Sequence, residues 1–197
     1  MVETLYFLFG LVIAITIHEF AHAATADRLG DPTPRSQGRL TLNPLAHLDP
    51  VGTIMLLLFR FGWGKPVVFD PYNLAHPRRD TGIISFAGPI SNLLLASLLS
   101  LGLRFLPLPL ALQPLLYITI FLNLTLAIFN LVPVYPLDGE KILAALLPRD
   151  LAYEYQAVMN RYGTFILIFL ILPVFGTSPI ISLISPAITF FSRLLLE

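Results

Sequence analysis

Long unbroken apolar runs dominate the pattern, with no sustained alternation and no heptads. The first occupies residues 4–26 and is long enough to cross a bilayer as a helix at ~1.5 Å per residue. Residues 82–106 and 112–132 form two more such runs. Two shorter ones, 162–175 and 179–192, are split by Gly176-Thr177-Ser178-Pro179 and read as a hairpin of spans. A dozen apolar residues at 51–62 are too few for a crossing and fit a re-entrant or interfacial segment. Between the runs the chain is polar. Residues 31–50 hold Asp31-Pro32, Pro34, Gly38, Asn43-Pro44 and Asp49-Pro50, a series of turn signals. Residues 38–42 and 65–70 read as two short strands. Residues 140–161 carry Glu140, Lys141, Arg149, Asp150, Glu154 and Arg161 and predict a helix lying at the membrane surface. The expected fold is therefore an all-α polytopic membrane protein with about five transmembrane helices, a small membrane-associated β region and a re-entrant segment.

Composition agrees with a bilayer as solvent. The chain is 56% hydrophobic, only 12% charged, and has a mean hydropathy of +0.78; soluble domains run nearer a quarter charged. Net charge is +0, so there is no basic footprint for nucleic acid. The absence of cysteine excludes disulfides and thiolate metal sites. No Lys or Arg precedes the first run and Glu3 stands where a signal peptide is basic, so that run is read as a retained span. The 197 residues read as one membrane-embedded domain, with a core at 4–140 and a C-terminal surface helix and hairpin at 141–197.

Two stretches carry chemistry. His18-Glu19-Phe20-Ala21-His22 lies at the far end of the first run. Imidazoles four residues apart share one face of a helix, the spacing at which two can bind one zinc, with Glu19 beside them as a base for water. Charged and ionisable groups inside a membrane run are costly and mark function. The second stretch, Asn130-Leu131-Val132-Pro133-Val134-Tyr135-Pro136-Leu137-Asp138-Gly139, ends the third clear span. Its two prolines break helical hydrogen bonding, and non-helical backbone at membrane depth is tolerated where it is buried in protein or lines a wet cavity. Asp138 on such an unwound end can reach a metal, with Glu140 or Asp49 as other candidate third ligands. Asn92, an amide in an apolar run, either bridges two helices or serves the site. His47 and His76 read as loop residues, not ligands. The two strands either present a free edge that captures an extended peptide or are ordinary interfacial loop.

Topology links the two stretches. For His18, His22 and Asp138 to share a metal, the first and third spans must run in the same direction, so 82–106 crosses once between them and 51–62 does not cross. Arg28, Arg35, Arg39, Arg60, Lys65, Arg78, Arg79, Lys141, Arg149 and Arg161 then fall on one side and Arg104 on the other. The positive-inside rule puts the motifs near the cytoplasmic face of the cell membrane and the N-terminus outside.

Taken together, His-Glu-x-x-His in the first span, Gly-Pro-x-x-Asn at Gly88 to Asn92, and Asn-x-x-Pro-x-x-Pro-x-Asp-Gly at Asn130 to Gly139 resemble the site-2 protease family of intramembrane zinc metalloproteases. The resemblance covers roughly residues 5–140. It implies one zinc per chain held by His18, His22 and Asp138, Glu19 as catalytic base, and Asn130 and Asn92 on the substrate backbone or oxyanion. It also implies transmembrane protein or peptide substrates cut near the cytoplasmic face, presented by the β region. Many members carry a PDZ or CBS domain, for which these residues leave no room. The readings set against proteolysis are a metal-ion transporter or channel and an inactive scaffold that binds transmembrane helices.

Overall fold

A computed structural model describes residues 2–59, 62–173 and 176–197, without the side chains of residues 56–59. Eight α-helices follow one another: α1 (Val2–Arg28), α2 (Thr33–Ser36), α3 (Pro50–Phe59), α4 (Pro77–Phe105), α5 (Gln113–Asn130), α6 (Asp138–Leu146), α7 (Arg149–Ile171) and α8 (Pro179–Leu196). Short 3-10 turns at Pro44–Ala46, Pro71–Asn73 and Leu110–Leu112 join some of them.

The centre is a bundle of α1, α4 and α5. On α1 the buried stripe runs through Gly10, Ala14, His18, His22 and Ala26, every fourth residue, which is one helical face. On α4 it runs through Asp80, Ile84, Gly88, Asn92, Ala96 and Ser100, again every fourth. Small residues at the contacts let the backbones close up, the usual means of packing helices in lipid. Going up α1 from Ala14 to His22, the partners on α4 descend from Asn92 to Ile84, so these two are antiparallel. Gly10 meets Thr119 on α5 and Asn92 joins Ala14 to Asn123, so α5 runs parallel to α1. That is the arrangement the topology argument requires. Helix α8 packs on α5, where Ile180 and Ile184 join Ile128, Val132, Val134 and Leu137 in a buried cluster. Outward faces carry large apolar side chains, Phe9, Leu98 and Phe165 among them, each more than 60% exposed. In water this would be costly; in lipid it is the ordinary solvent-facing surface.

Among the described residues four helices are long and apolar enough to cross a membrane: α1, α4, residues 110–130 and α8. Segment 162–175, counted as a fifth span from sequence, is not a separate element: up to Ile171 it is the apolar second half of α7, whose first half carries Arg149, Asp150, Glu154 and Arg161. The surface helix expected at 140–161 is likewise broken in two. Pro148 lacks the donor and holds Leu147 extended, at φ −66°, ψ 155°. Segment 51–62 forms the ten-residue α3, too short to cross, with residues 60 and 61 outside the described ones.

The β region does not form a sheet. Among the described residues the two strands expected at 38–42 and 65–70 are absent, and one isolated antiparallel bridge, Leu48 to Gly64, is all the pairing present. Pro66 removes a ladder donor from the second of the two expected strands. Arg39 takes over the joining: its guanidinium donates to the carbonyls of Ala46, Lys65 and Pro66, the last two at 3.3 Å. Asp31, fully buried, ties α1 to the loop before α4. It accepts from Thr33 N and Oγ1, from Asn73 Nδ2 and from Asp70 N, at 2.6–3.1 Å. Burial alone would raise the Asp31 carboxyl, but these donors outweigh it and hold it below the usual carboxylate range.

Candidate metal centre

The packing of α1 against α4 brings His18 and His22 to the mouth of the turn that follows α5, where Asp138 begins α6. His18 Nε2 lies 3.0 Å and His22 Nε2 3.2 Å from the same oxygen, Asp138 Oδ2. The two imidazoles stand edge to face with centroids 4.6 Å apart. Each donor is largely buried.

The remaining ring nitrogens decide what this cluster is. Asn92 donates both amide hydrogens, to Ala14 O at 2.9 Å and to Asn123 Oδ1 at 2.7 Å, so its oxygen is free to accept, and His18 Nδ1 sits 2.7 Å from it. His22 Nδ1 lies 2.7 Å from the Ile84 carbonyl, which can only accept. Both Nδ1 atoms therefore carry the proton. In the neutral rings both Nε2 atoms are bare lone pairs, aimed at a carboxylate oxygen that is also a lone-pair donor. Three acceptors this close repel unless a cation lies among them. Tetrahedral ligands ~2.0 Å from one zinc stand roughly 3.3 Å from each other, close to the separations found. Donation of the second nitrogen to a fixed acceptor is the usual support of a metal-ligating histidine. The donor set, two nitrogens and one oxygen, leaves a fourth position and suits zinc.

Backbone must come very near these rings. A Cβ on Gly88 would stand 2.4 Å from His22 Nε2, so a glycine is required there. Pro89 next to it removes the helical bond to Ser85, within the layer that holds the metal donors. A Cβ on Gly139 would stand 2.4 Å from the carbonyls of both Leu131 and Val132, which is how the proline-rich turn folds back to deliver Asp138.

Glu19 lies next to His18 on α1 and accepts from Val67 N at 2.8 Å, so the extended stretch from Lys65 to Phe69 runs past its carboxylate. Asn130 ends α5; its amide donates back to Leu126 O at 3.0 Å and bonds to none of His18, Glu19, His22 or Asp138 among the described residues. Asn92 is fully buried with its oxygen and both hydrogens engaged, so it has no donor left for an oxyanion. The reading of Asn92 as a substrate contact gives way to that of a bridge between helices which also orients His18. The other candidate ligands stay out of the cluster: Asp49 caps α3 by accepting from Gly52 N at 2.7 Å, and buried Glu140 bonds Gln156. Burial pushes the Glu140 carboxyl up, against the pull of Lys141. Tyr155 donates to Pro133 O at 2.7 Å, and burial with the nearby Glu140 charge pushes its hydroxyl up to about 12, so it stays a donor. His47 is buried against Thr41 O, and exposed His76 stands just before α4; neither joins the centre.

Sequence reasoning missed Asn123, Ile84 and Val67. Asn123 carried the same signal that marked Asn92, a buried amide in an apolar run. The other two act through backbone atoms, which no side-chain pattern reveals.

Comparison with known proteins agrees with this chemistry. The model of peptidase family M50 matches residues 107–170, the part that holds Asn130 and Asp138. The provisionally named zinc metalloprotease YwhC of Bacillus subtilis is 41% identical over 174 residues, covering 83% of this chain and 80% of that one. The chain belongs to peptidase family M50, the site-2 proteases. Other relatives in the family are longer. Rip2 of Mycobacterium tuberculosis, another provisionally named zinc metalloprotease, is 36% identical over 170 residues, 82% of this chain and 63% of its own. Zinc metalloprotease MJ0392 of Methanocaldococcus jannaschii is 31% identical over 143 residues, 73% of this chain and 34% of its own. No solved structure gives a significant match. Membership of the family, the donor set and the apolar helices make this chain a zinc-dependent, multi-pass membrane metalloprotease.

Proposed function

We propose that the chain is a single membrane-embedded unit that hydrolyses peptide bonds in or near transmembrane segments of membrane-protein substrates, as in regulated intramembrane proteolysis or removal of signal-peptide remnants. His18, His22 and Asp138 hold the zinc. When bound, zinc supplies Lewis acidity for water and for the scissile carbonyl. Glu19 takes the proton from the attacking water and passes it to the leaving amine, so the peptide bond breaks as a new carboxylate forms. Asn130, a neutral amide donor at the end of α5, is assigned the oxyanion of the tetrahedral intermediate.

The observation that carries this reading is the convergence of the two bare Nε2 atoms on one Asp138 oxygen, with the Glu19 carboxylate next to His18 on α1. A cavity of about 430 Å³ follows one face of α1 through Phe9, Val12, Ile13 and Thr16 and is closed by Leu42 and Pro44. It ends about one helical turn short of Glu19. A substrate helix lying there meets the stretch from Lys65 to Phe69 at its upper end. Unwound and laid against that backbone, its peptide comes within reach of Glu19, which already contacts Val67. The cluster of Arg28, Arg35, Arg39, Lys65, Arg78 and Arg79 at this end of the bundle, against Arg104 at the other, supports a cytoplasmic site with the N-terminus outside.

Cleavage of a labelled transmembrane peptide in detergent tests it. The wild type should cut within or beside the apolar segment, and Glu19→Gln should be slower by at least about 10³-fold. Cleavage only of soluble peptides, or full activity in Glu19→Gln, would overturn the reading.

A further inference from the structure

Away from the metal centre, the first turns of α4 and α7 and the outer face of α6 enclose a cavity of about 660 Å³. Arg78, Lys141 and Arg149 line it, together with Tyr72, Tyr153 and Gln156. A second cavity of about 370 Å³ shares Arg78 and Arg149 and adds His76 and Arg79. No carboxylate lines either one. The acids nearby are committed or turned away. Asp80 is buried, accepts from His76 N and pairs with Arg79 at 3.0 Å. Glu140 is buried behind Gln156, and Asp150 is exposed outside the lining. Among the described residues no ion pair engages Arg78, Lys141 or Arg149.

Three cations around one cavity, without an acid, repel each other unless an anion joins them. Their placement is fixed by other contacts: Arg78 Nε donates to Ala144 O at 2.9 Å, and Lys141 Nζ lies 5.3 Å over the Phe69 ring. Two long helices also start here, α4 of 29 residues and α7 of 23, and neither is capped by a side chain. Their amide ends contribute positive potential, offset in part by Asp80 and Asp150 in those first turns, so the cations carry the site.

We propose that this cavity binds a phosphate-bearing anion and that in the membrane this is the headgroup of an anionic phospholipid. Its depth favours lipid over a soluble phosphate compound. Arg78 and Arg79 stand in the first turn of the span α4, the level at which an apolar helix leaves the hydrocarbon. Tyr72 and Tyr153 are 96% and 74% exposed at its rim, the residue type that settles at headgroup level. Basic pockets between membrane helices are suited to such headgroups. The site goes beyond proteolysis, yet α6 connects the two: Lys141 and Ala144 face the cavity while Asp138, one turn earlier, faces the zinc donors.

The test follows thermal unfolding of the whole chain in phosphatidylcholine micelles at low salt, with added phosphatidylglycerol, inorganic phosphate or ATP. Phosphatidylglycerol should raise the midpoint by about 3 °C near saturation. Lys141→Gln/Arg149→Gln should need at least 10-fold more lipid for the same rise, and unchanged zinc content shows that this variant is folded. Arg149→Gln alone, at an exposed first-turn position, serves if the double variant loses zinc. A rise with phosphate or ATP and none with phosphatidylglycerol would keep the anion site but overturn the lipid assignment. No rise with any of the three, or an equal rise in wild type and variants, would overturn the site. Loss of peptide cleavage bears only on the protease reading, since this readout involves no catalysis.

Discussion

At the level of single residues, the centre depends on groups that never touch the substrate. Asn92→Leu removes the acceptor that keeps the proton on His18 Nδ1, and with it the bridge to Ala14 and Asn123. Zinc affinity is expected to fall by about 10- to 100-fold, read by competition with a chelator. Gly88→Ala should be more severe, because its Cβ would occupy the space 2.4 Å from His22 Nε2. Zinc per chain should drop close to zero, and full occupancy would contradict the placement of α4 against α1. Asp31 gives a pH signature. Its folded pKa is depressed, so its contribution to stability is complete above the ordinary carboxylate pKa of ~3.9 and is lost as pH falls through the lower folded value. The difference in unfolding midpoint between wild type and Asp31→Asn should thus be constant above about pH 5 and shrink in more acidic buffer.

Among elements, the spans were legible because bilayer thickness imposes a length and an apolar composition that few other structures share. The His-Glu-x-x-His spacing was legible for a similar reason, since helical periodicity alone puts both rings on one face. What escaped were places where tertiary contact overrides local pattern. Residues 38–42 alternate like a strand, but a strand needs a partner ladder, and Pro66 withholds a donor from the other stretch. Arg39 replaces that ladder with three side-chain donations to carbonyls. Arg39→Met, keeping the apolar stem, should cost about 3 kcal/mol of stability and free the stretch at Val67 from Glu19. Its kcat/KM should fall about 10-fold with zinc content unchanged; an unaffected kcat/KM would mean that this stretch does not present the substrate. The fusion of segment 162–171 with the polar first half of α7 escaped because no breaker separates them, whereas Pro148 divides what the charge pattern had joined.

The whole molecule is a bundle whose outer surface suits lipid and whose three metal donors converge in one layer. A transporter would need ionisable or metal-binding groups continuing toward the far end, but the buried positions there include Ala14 and Gly10 on α1, Ser100 on α4 and Thr119 on α5. Orientation can be read directly, because the chain has no cysteine. Leu146→Cys and Leu110→Cys, at positions 77% and 81% exposed, lie at opposite ends of the bundle, the first beside the start of α4 and the second past its end. An impermeant thiol reagent added to intact cells should label the second and not the first; the reverse would place the centre outside. The most direct test of the central claim is zinc content of the purified chain, wild type against Asp138→Asn and the His18→Ala/His22→Ala pair. One zinc per wild-type chain, much reduced in Asp138→Asn and absent in the histidine pair, is the predicted result. Undiminished zinc in both variants, with the fold intact, would mean that these three donors do not form the metal centre.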